Sequence, residues 1–174
     1  MGDNMRTAVE KALEELVDVV PAGVDGFYYQ GQELKDKKCK EVEAFKEIDT
    51  LHKLYAVLRK SWSSSTAYKS CQSEWVSEDP SYGQCAITAT LVYDMFGGSI
   101  HRIRVEGGGT HYFNKITGQY VDLTREQFDL YNIEVAYEPN ETMQREYCCK
   151  NPDTNARYRQ LQRNIIAYLK NNED

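Results

Sequence analysis

Cys85, His111 and Asp122 are the residues of this 174-residue chain whose types and spacing could do covalent chemistry. Cys85 follows the turn-rich stretch Ser77-Glu78-Asp79-Pro80-Ser81-Tyr82-Gly83. It begins a run in which Ile87, Leu91, Val92, Met95 and Phe96 recur at helical spacing before Gly97-Gly98. A thiol attacks as its thiolate, and in the first turn of a helix the unpaired N–H groups and the dipole favour that charge. His111 follows the glycine turn Gly107-Gly108-Gly109, and Asp122 lies 122 − 111 = 11 positions later, across Thr117-Gly118-Gln119. Neighbouring antiparallel strands joined by such a turn would bring the imidazole and the carboxylate together. A carboxylate on one ring nitrogen leaves the other for the thiol, which is the nucleophile, base and orienter arrangement of acyl transfer.

Other residues are candidates for supporting roles. Gly83 would let a substrate backbone approach, and the Gln84 amide could donate to a developing oxyanion, with the Cys85 backbone N–H as the alternative donor. Asn114 is a second possible orienter, but three residues from His111 on one strand it would face the other side. Thr124 is expected to cap the helix suggested by Arg125-Glu126-Gln127-Phe128, leaving Asp122 for His111. Trp62, Trp75 and Tyr82 could line a cleft or pack in a core. The triple glycine could hinge over that cleft or simply turn the chain. His52 and His101 have no companion signal and are read as ordinary packing or exposed histidines.

The elements that must position these groups read as α+β. An amphipathic helix is expected over Val9, Leu13, Leu16, Val17 and Val20, then an aromatic run Phe27-Tyr28-Tyr29 as a short strand or loop, then a charged, weakly helical stretch from Leu34 to Ile48. Thr50 is an N-cap for a helix with Leu51, Leu54, Tyr55 and Leu58 on one face. After Cys85–Phe96 come three strands around residues 100–105, 112–116 and 120–123. Tyr158, Leu161, Ile165, Tyr168 and Leu169 form a last helical stripe.

The whole is read as one domain: an extension over residues 1–49, a core over 50–135, and a C-terminal loop and helix over 136–174. Net charge −6, from 21 basic and 27 acidic residues, gives no reason to expect nucleic acid or anionic lipid as partner. No signal-peptide or membrane-spanning run is evident, so the expected place is the cytoplasm. The five cysteines, Cys39, Cys71, Cys85, Cys148 and Cys149, are expected to be reduced thiols, with no zinc-ligand spacing, no metal and no cofactor.

The helix-opening Cys85, then His111-Tyr112-Phe113-Asn114, then Val121-Asp122-Leu123-Thr124 resembles the core of transglutaminase-like proteins in the papain-like superfamily. That resemblance implies a catalytic helix packed on an antiparallel sheet, here with extra helices at both ends. More narrowly, Ser61-Trp62-Ser63, the Trp75 segment, Ser81 through Ala89, Phe96-Gly97-Gly98, His111 through Asn114 and Asp122 through Phe128 resemble the bacterial YunG-like family, over about residues 54–128. The expectation is a cysteine enzyme acting on a protein, peptide or small amide. A non-catalytic binding module on the same fold is its rival, and a thiol redox sensor using Cys148-Cys149 is a weaker third reading.

Overall fold

The computed structural model describes residues 28–105 and 109–172, and for Cys149 the backbone alone. The helix expected over Val9–Val20, Phe27, Gly107 and Gly108 lie outside the described residues. Helix α1 is Leu51–Ser61, α2 is Cys85–Phe96, α3 is Glu126–Asp129, α4 is Arg145–Lys150 and α5 is Pro152–Asn171. The strands are β1 Ser99–Val105, β2 Gly109–Ile116, β3 Gln119–Val121 and β4 Glu141–Met143. They form one antiparallel sheet in the order β3-β2-β1-β4, so the fold is α+β.

The helices start where the side chains allow. Thr50 caps α1, its hydroxyl accepting from Lys53 N at 3.2 Å, and Asn151 caps α5, accepting from Asp153 N at 2.9 Å, with Pro152 in the first turn where its missing N–H costs nothing. Leu51, Leu54, Tyr55 and Leu58 of α1 meet Ile87, Leu91, Val92 and Met95 of α2 and Leu161, Ile165 and Leu169 of α5 over Ile116 and Val121 of the sheet. Each fully buried aliphatic side chain contributes roughly 1.5–3 kcal/mol relative to exposure. A second apolar layer covers the other face, where Ile103, Val105 and Phe113 pack with Phe128 and Val135. The sheet is thus buried on both faces.

The charged stretch expected to be weakly helical folds instead as two single 3₁₀ turns, Gln32–Leu34 and Glu43–Phe45. Its sequence has no apolar stripe to hold a longer helix, and only Phe45 and Ile48 are buried anchors. The residues just before it reach the sheet: Gln30 N donates to Asp122 O at 3.2 Å, and Asp122 N donates to Gln30 O at 3.0 Å. The backbone of Asp122 is therefore held from the side opposite β2.

Asp94 of α2 ties α4 and α5 to it, accepting from Arg145 Nε at 2.6 Å, Arg145 Nη2 at 2.7 Å and the Tyr158 hydroxyl at 2.6 Å. Burial pushes the Asp94 carboxyl up, but the bonds and charge of Arg145 and the Tyr158 hydroxyl outweigh it and hold it below its ordinary range. A depressed carboxylate stabilises the fold above its unfolded pKa, and that stability is lost as pH falls through the lower folded value. Asp94→Asn is expected to cost about 1–2 kcal/mol in urea unfolding at pH 7, less where solvent screens the pair. Its difference from wild type should shrink as the pH falls below about 4.

Candidate active site

Cys85 is the first residue of α2, half-buried and preceded by a turn at Gly83. Gly83 has φ 74°, and a Cβ there would lie 2.9 Å from the Cys71 Cβ, so the turn needs glycine on both conformational and steric grounds. Gly83 is gripped from two sides: its carbonyl accepts from Tyr68 N at 2.8 Å, and its N–H donates to Gln127 Oε1 at 3.3 Å. Gln127 in turn donates to Thr124 O at 2.9 Å. This amide, with the Ser81 hydroxyl that donates to Thr124 O at 3.4 Å, fastens the loop that presents Cys85 to the segment that carries Asp122.

His111 and Asp122 meet across neighbouring strands. The register Asn114↔Val121 places them diagonally on one face, and His111 Nε2 lies 2.7 Å from Asp122 Oδ2, with both side chains almost fully buried. The imidazole stands edge-to-face against Phe128, centroids 4.7 Å apart. Asp122 Oδ2 also accepts from the Tyr137 hydroxyl at 3.0 Å, and Oδ1 accepts from Thr124 N at 3.1 Å and Thr124 Oγ1 at 3.2 Å. A carboxylate that meets four donors is fixed in place, which in turn fixes the ring.

The remaining ring nitrogen, Nδ1, is buried and makes no hydrogen bond of ordinary geometry. The thiol that interacts with this ring is Cys85, and each of the two groups shifts the other. Burial pushes the Cys85 thiol up, but the hydrogen-bonding and charge of His111 and the Tyr112 backbone N–H outweigh it and hold the thiol below its ordinary value. Burial likewise pushes the imidazole down. The charge and hydrogen bond of Asp122, with the Cys85 sulfur, outweigh that and raise His111 to about 10. Both directions favour a thiolate beside an imidazolium at neutral pH.

Cys85 opens onto a cavity of about 730 Å³ that Gly83, Tyr112, Gln127 and Phe128 also line. Of the residues expected at a cleft, Gly83 lines this cavity. The other expected cleft residues are elsewhere: Trp62 is core, its indole N–H donating to Thr88 Oγ1 at 3.0 Å, and Trp75 packs on the Ala67, Cys71 and Tyr82 cluster while donating to Pro80 O at 3.1 Å. Tyr82 is fully buried and donates to Glu74 at 2.8 Å. Their polar atoms needed internal partners, and a core supplied them.

Gln84 is also displaced from its expected role, because its amide is held by Thr66 Oγ1 at 2.8 Å and Ser63 O at 3.0 Å and is wholly buried. Asn114 faces α2, donating to Ala89 O at 2.9 Å, and so does not orient His111. Thr124 does not cap α3 with its side chain; it donates to Asp122. Tyr137 and Gln127 are supporting residues that the sequence reading misses. The alternation Ile133, Val135, Tyr137 is the available sign that Tyr137 shares the buried face. His101 is ordinary packing, bonded to Ser99 and Asn140.

An α+β domain with a cysteine at the start of its central helix, beside a buried histidine–aspartate pair, is the class that this fold and site define. Residues 50–170 match the family model described as YunG protein, and the chain belongs to the YunG family. A relative in Bacillus subtilis (strain 168), described as "Uncharacterized protein YunG", is 42% identical over 72 residues. That match covers 41% of this chain and 57% of the relative, so it spans little more than half the relative's length. No solved structure matches. Among the described residues no helix is long and apolar enough to cross a membrane. No group of three or more His, Cys, Asp or Glu among them is placed to hold a metal ion.

Proposed function

We propose that the chain is a cysteine-dependent acyl-transfer enzyme of papain/transglutaminase-like type, with Cys85, His111 and Asp122 as its triad. The observation that carries the reading is the linked set of charges: four donors fix Asp122, Asp122 fixes and charges His111, and His111 lowers the Cys85 thiol. The Cys85 thiolate attacks the carbonyl carbon of an amide or related substrate; a C–S bond forms and the carbonyl electron pair moves to oxygen. The Cys85 backbone N–H, at the open end of α2, receives that oxyanion. As the electron pair returns, the C–N bond breaks and the leaving amine takes the proton from His111 Nδ1. Water or an amine, giving its proton to the same nitrogen, then attacks the thioester and releases the thiolate. Hydrolysis, deamidation and transamidation share these steps.

A burst of p-nitrophenol from a p-nitrophenyl ester, stoichiometric with protein and abolished in Cys85→Ala, is the expected result. Ester cleavage that persists in Cys85→Ala would leave only the non-catalytic binding module.

A further inference from the structure

The cavity that holds Cys85 has an unusual charge balance for so acidic a protein. Lys150 and Arg157 line it, and among the described residues no aspartate or glutamate does. Arg157 is only 4% exposed, so its charge faces little bulk water. Three of its five N–H donors have partners: Asp153 Oδ2 at 3.0 Å, Thr66 O at 3.2 Å and Thr154 Oγ1 at 3.4 Å. Two N–H groups remain on the nitrogens that face Thr66 and Thr154. The guanidinium is held in place by these bonds and by the Tyr68 ring, 5.6 Å from centroid to Cζ. Thr154 and Asn151, at the start of the 20-residue α5, line the same wall. A buried, pre-positioned guanidinium with donors to spare is suited to the fork of a carboxylate.

We infer that the cavity binds a carboxylate carried by the substrate, read by Arg157 and Lys150 while its carbonyl meets Cys85. The inference rests on the acyl-transfer reading and deepens it by naming a substrate class, acyl compounds that bear a negative charge. An anion there also offsets the desolvation of Arg157, a gain that a neutral substrate lacks. The remainder of the surface, net negative, repels such a molecule, so the cavity is where it concentrates.

Iodoacetate and iodoacetamide test this, since they carry the same reacting carbon and differ in charge. Alkylation of Cys85 by each is followed by peptide mass spectrometry in the full chain at low ionic strength, with free cysteine as reference. The exposed Lys150 is changed to Glu, and Arg157→Gln is the second variant, keeping hydrogen-bonding capacity while removing charge. The expected result is an iodoacetate-to-iodoacetamide rate ratio that falls about fivefold or more in each folded variant, the ratio cancelling any change in thiolate reactivity that both reagents share. Competition by acetyl-alanine, with a chain-end carboxylate, and by the α-amide of acetyl-glutamate, with a side-chain one, tells which source fits. A ratio unaltered by Lys150→Glu and by added salt overturns the inference. Failure of the acyl-transfer reading is separately visible, because it appears as a slow Cys85 with both reagents.

Discussion

Replacing His111 by alanine is expected to move the alkylation of Cys85 by iodoacetamide up the pH scale and to slow it severalfold at pH 6. In the wild type the thiol lies below its ordinary value because an imidazolium faces it. Without that charge, burial and the Asp122 charge outweigh the Tyr112 N–H and push the thiol up, so a smaller fraction of it is ionised at pH 6. The thiolate of lower pKa is intrinsically less nucleophilic, which offsets part of that difference in ionisation. Asp122 keeps Tyr137 and both Thr124 donors in the variant, so the buried carboxylate is not stranded. Cys39 and Cys71, whose thiols burial pushes up, serve as internal controls and should alkylate only at higher pH in both proteins. The check is the pH–rate profile of each cysteine, mapped by mass spectrometry. Identical Cys85 profiles in the two proteins would separate the thiol from His111.

The second large effect concerns folding. Gly98, at the junction of α2 and β1, has φ 74°, and a Cβ there would sit 2.1 Å from the Lys115 carbonyl oxygen and 3.3 Å from the Ile116 Cα. Neither atom is the end of a flexible side chain; both belong to the paired strand β2, so relief would require moving the backbone that carries His111. Gly98→Ala is expected to destabilise the protein by about 4 kcal/mol, in the range that single substitutions rarely exceed, and to reduce soluble yield. Gly118→Ala is the control: its φ is 81° and open space surrounds the added methyl. That change should cost only about 1–2 kcal/mol, the penalty of the left-handed conformation alone. Urea unfolding of the two variants side by side measures the difference. Equal costs would mean that the α2–β1 junction relaxes freely.

The parts of the fold legible in the sequence are those whose signals are local. Thr50 and the α1 stripe, Cys85–Phe96 before its diglycine, and the Thr117-Gly118 turn each carry their own start, period or stop, and each element lies where these place it. Strand β4 and helix α4 are not legible in this way. Glu141-Thr142-Met143 is a strand only because Ile100, His101 and Arg102 of β1 offer an open edge, and nothing local in three residues announces that. Arg145–Lys150 depends likewise on Asp94, fifty-one positions earlier. The family resemblance is legible over residues 54–128, whereas the family match runs over 50–170 and so includes most of α5.

For the site, chemistry is more legible than support. Cys85, His111 and Asp122 announce themselves by residue type and by the elements on which they lie. Their supporting partners do not, because a tyrosine or glutamine is read as a site residue only after the fold brings it near. Tyr137, fifteen positions beyond Asp122, and Gln127, forty-four beyond Gly83, are such cases. Gln84, Trp75 and Tyr82 are the reverse: close to Cys85 or to its turn in sequence, they are aimed at buried partners by the turns between them. Adjacency along the chain suggests a site role that the direction of the side chains denies.

The measurement that bears most directly on acyl transfer is peptide mapping of protein quenched in acid during the p-nitrophenyl ester burst. The expected result is an acyl group on Cys85, absent from the other cysteines, lost in His111→Ala and discharged faster when an amine is added with the water. Acyl groups spread over the thiols in order of their exposure, and equal in His111→Ala, would contradict the triad and with it the proposed activity.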